Sequence, residues 1–424
     1  MPKSLDQKLA LLAKERFHKT FILADAKDAD MALGIAAPGP ARKVAPGGFP
    51  YRTLAEYREQ IRRIIRQELV DIMLMSCSTN ELLTIRERCF DRSPVTAAVR
   101  TNDSTDIHLC RGDRYSVSPS LPFASPTLDH IQAGKSPCSP WERSRGANLG
   151  LYSVTFNNIP ERDRETLQAY KAFRLEAESR GFRHFLEVFD PNVPFSVHGV
   201  PEDQIGGFVN DHICRMLAGV PTSSRPVFLK IVYHGPRYME ELCRYDESLI
   251  VGILGGGSGT TYDAFKLLQE AKKYGARVAL FGRKINHAED QLAFVEMLRH
   301  VAEGELSAEE AVRAYHGRLQ ATGVAPQRSL ADDLVLTTTI MRYAASSVPI
   351  DGGRVTSPGG APGKSEASTL KGTPAVSVPL AGVVKPAPAP GRTPTSAPMI
   401  RPAPGAPAAK RLLGSIPRHG QDEL

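Results

Sequence analysis

The feature that most constrains this chain is a rhythm. Short apolar runs of strand length alternate with stretches of helical spacing for about 300 of the 424 residues. The expected strands lie at 20–24, 70–76, in PVTAAVRTND (94–103), and at 149–156, 183–189, 227–233, 249–254 and 277–281. The expected helices lie at 54–68, 79–89, 162–179, 202–217, 237–245, 262–274 and 289–301. A leading helix at 5–16 precedes them, and helices at 308–320 and 330–345 close the series. Runs rich in Val, Ile, Leu and Phe without polar alternation are strands buried on both faces, which calls for a parallel sheet covered by helices. Eight such units predict a (β/α)8 TIM barrel, with an open doubly wound sheet as the alternative. In both folds chemistry sits at the C-terminal ends of the strands. Residues 111–147 break the rhythm with a Pro-, Ser- and Gly-rich stretch holding the only tryptophan, Trp141. A loop of that length inside a compact domain is expected to be a lid or a substrate wall.

Composition divides the chain near Ser346. Residues 346–424 hold 14 prolines and 11 glycines and no aromatic residue. Such a segment cannot bury enough apolar surface to offset its ordering entropy, so the expected division is a barrel domain at 1–345 and a disordered low-complexity tail at 346–424. The tail carries +5 of the formal net charge of +7. A body of only +2 lacks the basic excess of a nucleic-acid-binding domain, so no nucleic-acid partner is expected. No apolar run reaches the roughly 18–20 residues of a membrane helix, and the first residues lack the apolar core of a signal peptide. A cytoplasmic protein with no membrane partner is the expectation. The six cysteines show no C-x-x-C pair, which reads as reduced, mostly buried thiols, and no metal site is expected.

Three ionisable residues stand inside apolar runs. Lys230 in PVFLKIVYHG is a lysine without water to hydrate its ammonium, which makes the neutral, carbonyl-attacking amine accessible. The competing reading is a structural lysine held by a buried carboxylate. Glu187 in HFLEVFDP suits either an acid/base at a carbon beside an imine or the counter-ion of Lys230. Asp25 in FILADAK is balanced between a catalytic residue and a loop cap, with Lys27 and Asp28 close by. The glycine-rich ILGGGSGTTYDAF links a strand to a helix, and ALFGRKI follows one repeat later. Backbone amides at a helix N-terminus and a nearby Arg make a phosphate cradle from Gly256, Gly257, Ser258, Gly282 and Arg283. A P-loop lysine is absent, and G-x-G-x-x-G fails at its third glycine.

The series FILADAK, HFLEVFDP, VFLKIVYHG, ILGGGSGTTYDAF and RVALFGRKI, over roughly residues 16–320, resembles the class I, Schiff-base aldolases of the DeoC/LacD and archaeal fructose-bisphosphate aldolase type. The resemblance implies that Lys230 forms the imine, Glu187 transfers protons and Asp25 is the first-strand aspartate. It implies phosphate binding by the two glycine-bearing loops. The reaction implied is reversible carbon–carbon cleavage of a phosphorylated ketose, with no cofactor, in a homo-oligomer. A transaldolase-like or condensing reaction through the same lysine is the alternative, and a non-catalytic sugar-phosphate-binding or scaffold barrel is another. LacD-type enzymes carry a strand-four lysine. Residues 149–158 have none, and Tyr152 or Asn157 are the residues that could take its space.

Overall fold

The computed structural model describes residues 1–16, 18–41, 48–256 and 259–338. Gly257, Ser258 and the segment 346–424 lie outside the described residues. Eight parallel strands close into a barrel: β1 (Ile22–Lys27), β2 (Ile72–Met75), β3 (Thr96–Arg100), β4 (Leu149–Thr155), β5 (Arg183–Phe189), β6 (Leu229–Ile231), β7 (Val251–Leu254) and β8 (Val278–Phe281). Each strand pairs with its neighbours in sequence, and β1 pairs with β8 to close the ring.

Strand parity sorts the residues into two cores. Ile22, Ala24, Ile72, Leu74, Ala98, Leu151, Phe185, Phe228, Val278 and Leu280 belong to an inner cluster that fills the barrel. Phe185 and Phe228 stack within it, ring centres 4.6 Å apart. The alternate residues, among them Leu23, Met73, Val99, Tyr152, Leu186 and Phe281, join a second cluster between strands and helices. Helix α1 (Ser4–Lys14) packs Leu5 and Leu12 on the inner cluster, while Lys3 donates to the carbonyls of Phe90, Ser93 and Val95. Helix α2 (Leu54–Gln67) opens with a capping box from Thr53 to Glu56 and buries Tyr57, Ile61, Ile64 and Ile65, a helical stripe toward the strands.

The outer layer continues with α3 (Pro160–Ser179), α4 (Ile205–Ala218), α5 (Pro236–Tyr245), α6 (Thr261–Lys273), α7 (Gln291–Glu303) and α8 (Ala308–Ala321).

Local departures from expectation have physical causes. Charges at 25 and 27 do not end the first strand, because they pair with each other on its outward side, Lys27 Nζ to Asp25 Oδ2 at 3.2 Å. The helix expected at 79–89 is one α-turn, Cys77–Asn80, running into a π-helical stretch, Glu81–Arg86. Of the helix expected at 330–345, the described residues, which end at 338, hold one turn, Leu330–Asp333, before the chain crosses the start of α6. Only Cys243 is buried, Cys110 is exposed and the other four thiols are half-buried, so the cysteines are free but not mostly interior. Among the described residues no helix is long and apolar enough to cross a membrane, and no cluster of His, Cys, Asp and Glu could hold a metal.

Candidate active site

Barrel register assembles the site. Ser153 of β4 pairs with Glu187 of β5, which pairs with Lys230 of β6, so three inward side chains stand in one row across adjacent strands. Lys230 Nζ lies 2.5 Å from Glu187 Oε1. Glu187 Oε2 accepts from Ser153 Oγ at 2.7 Å and faces Arg100 Nη2 at 3.4 Å. Arg100, at the end of β3, donates from Nη1 to Ser153 Oγ at 2.9 Å and from Nε to Asp28 Oδ2 at 2.6 Å. All five side chains are buried. Burial alone would weaken Arg100 as a base partner, but Asp28 and Glu187 outweigh it and hold the guanidinium charged.

This network forms the floor of a cavity of about 430 Å³ at the C-terminal mouth of the barrel. Gly256, Gly282 and Arg283 line it as the sequence leads one to expect. Gly256 takes φ +60°, and a Cβ there would meet nothing within 4 Å, so backbone conformation is what requires glycine. At Gly282 crowding is the reason, since a Cβ would come within 2.7 Å of the Ala26 carbonyl oxygen. The start of α6 differs from the expected anion site. Thr260 N–H donates to Asp263 Oδ2 and Thr261 N–H to Asp333 Oδ1, so carboxylates of the chain already occupy these amides. Lys284 turns away to donate to the Gly259 carbonyl at 2.6 Å.

Asp25 is the residue that the structure does not bring to the cavity. Its strand neighbours Met73 and Phe281 face the helices, and so does its own side chain, fully buried against Lys27. Lys27 is held in turn by Asn286 and Gln291. Burial pushes the Asp25 carboxyl up to about 6, with Lys27 only partly opposing it. Three residues further on, parity reverses and Asp28 is the aspartate facing the cavity.

Sequence reasoning also missed Arg100, which stood at the polar end of an apolar run and drew no notice. Counting parity outward from the small inward residues Ala24 and Ala26 would have separated Asp28 from Asp25. At the cavity end of β4 Ser153 and Thr155 point inward, bonded to Glu187 and Asp106, and Tyr152 does not, its ring stacking on Phe173 in the outer layer at 4.5 Å. Asn157 is engaged with Asn192. Among the described residues the stretch 111–147 contributes nothing to the wall of this cavity, although Ser125, Pro126, His130 and Gly134 line a separate one of about 420 Å³. It buttresses the wall instead, with Ser120 Oγ donating to Asp106, which lines the cavity at the barrel mouth.

No protein-family model matches the chain, and no curated protein matches its sequence. Among solved structures it is similar to a fructose-bisphosphate aldolase from Slackia heliotrinireducens, with a TM-score of 0.51 at 12% identity over 73% of this chain and 89% of that one. It is also similar to an archaeal fructose 1,6-bisphosphate aldolase, with a TM-score of 0.48 at 15% identity over 70% and 99% of the two chains. An orotidine 5'-phosphate decarboxylase from Pyrococcus horikoshii gives a TM-score of 0.35 at 12% identity over 67% and 100%. The first of these likenesses is one of fold alone, the TIM barrel, and chemistry has to be argued from the site itself.

Proposed function

We propose that the protein is a Schiff-base aldolase that cleaves and forms a carbon–carbon bond of a phosphorylated ketose through Lys230. The observation that carries this reading is the contact of Lys230 Nζ with Glu187 Oε1 at 2.5 Å on the floor of an open cavity. A binding protein has no need of a buried amine with a proton acceptor against it.

The steps follow from that contact. Glu187 takes a proton from the Lys230 ammonium, and the amine adds to the substrate carbonyl. Water leaves and a protonated imine remains. A proton then passes from the substrate's β-hydroxyl to a carboxylate, and the bond between the α- and β-carbons breaks. Its electron pair moves toward the iminium nitrogen, giving an enamine and a released aldehyde. Protonation of the enamine carbon and hydrolysis return Lys230. In this reading Glu187 carries the proton transfers, while Arg100 and Ser153 fix its orientation. The substrate phosphate sits toward Gly256, Gly282 and Arg283, at the β7 and β8 ends where barrel enzymes often bind phosphate.

Assay of the purified protein against a panel of ketose phosphates, with aldehyde release as the readout, tests the proposal. Cleavage of at least one, abolished in Lys230→Met, is the expected result. Equal activity in the variant would refute the assigned role of Lys230.

A further inference from the structure

Charge is distributed unevenly around the cavity, and barrel closure fixes the side on which each group lies. In the ring order, β4 stands across from β8 and β3 across from β7. Gly256, Gly282 and Arg283 occupy the β7–β8 side. Across from them Asp106 follows β3, its Oδ2 accepting from Thr155 Oγ1 of β4 at 2.6 Å. Its Oδ1 accepts from Ser104 and Ser120 at 2.5 and 3.1 Å. Asp190 follows β5 and meets His234 Nε2 at 2.8 Å. Both carboxylates line the cavity. Arg100, the cation on that arc, is already engaged by Asp28, Ser153 and Glu187. Among the described residues no ion pair involves Asp106, which hydroxyl donors alone hold in place.

A phosphate brought to this arc would meet two carboxylates and, among the described residues that line the cavity there, no uncommitted cation, losing hydration without gaining a partner. A sugar hydroxyl would instead donate to either carboxylate. The geometry points to a substrate with a single phosphate, seated on the β7–β8 side, whose other end presents neutral hydroxyls to Asp106 and Asp190. This rests on the aldolase reading and names the substrate class within it.

The test is borohydride trapping on Lys230 in the full chain, titrated with fructose 1-phosphate and with fructose 1,6-bisphosphate, and with dihydroxyacetone phosphate as control. The monophosphate is expected to reach half-maximal trapping at a concentration lower by about tenfold or more, the scale of discrimination that one misplaced charge imposes. Asp190→Asn, and Asp106→Asn with Asp190→Asn, should narrow the gap by improving the bisphosphate. Bisphosphate trapping at equal or lower concentration in the unmodified protein overturns the inference, and so does a gap unchanged in both variants. With dihydroxyacetone phosphate trapped, those results remove this inference alone. Absence of trapping by all three compounds removes the aldolase reading and this inference with it.

Discussion

Glu187 meets two cations and a hydroxyl with two oxygens, so its charge holds the network together and, in the proposed reaction, also moves the protons. Glu187→Gln keeps the shape but leaves Lys230 without its acceptor. Single-turnover cleavage should fall by about 100- to 10,000-fold, the usual worth of a general acid/base. Breaking a buried charge network by one partner costs about 3–5 kcal/mol, so urea unfolding of the same variant should show a loss on that scale. Asp25 supplies the contrasting case. Its carboxyl titrates in the folded protein near 6, above the ordinary value of 3.8, because burial disfavours its charge. The raised value means that stability contributed by protonated Asp25 is full below about pH 4 and lost as pH rises through about 6. Asp25→Asn should therefore gain on the unmodified protein between these pH values, by about 2–3 kcal/mol at most. Chemical denaturation across pH 4–7 measures this, and the variant should retain Lys230 trapping. Lys230 and Glu187 were legible in the sequence because ionisable residues inside apolar runs are conspicuous. Asp25 misled for the same reason, since burial was visible and the facing side was not.

At the scale of elements, the loops after β7 and β8 were legible as glycine-bearing turns, and the partner of α6 was not. Asp333 lies 72 residues beyond Thr261, the first residue of that helix, and long-range capping leaves no local pattern. Burial raises the Asp333 carboxyl, but the Thr261 amide and His316 together outweigh it and hold the group below the usual range. The sign gives a contribution present above about pH 4 and lost as pH falls through the lowered folded value. Asp333→Ala should cost about 1–2 kcal/mol at neutral pH, the worth of a helix cap with a charge-assisted bond. That difference should shrink on acidification, which thermal unfolding at pH 7 and pH 3 would reveal. An equal deficit at both pH values would assign the effect to packing instead.

At the scale of the molecule, continuous apolar runs were enough to specify a parallel sheet covered on both faces, and the count of eight favoured the closed barrel over an open doubly wound sheet. The long insertion reads in sequence as a lid or a substrate wall, and the contact it makes to the cavity rim, Ser120 to Asp106 from behind, is long-range and leaves no local pattern. Segment 346–424 is expected from its composition to add no core. Ending the chain after Ala345 should therefore shift the thermal midpoint by no more than about 1 °C, within what a 1 kcal/mol change produces in a domain of this size. A larger fall would mean that the segment packs on the barrel. The central claim concerns one nitrogen atom. Incubation with dihydroxyacetone phosphate, borohydride reduction and peptide mapping by mass spectrometry locate the adduct directly. A single adduct on Lys230, absent from Lys230→Met, is the expected result. An adduct on Lys27 or Lys284, or none with any sugar phosphate in a protein that still binds them, would contradict it.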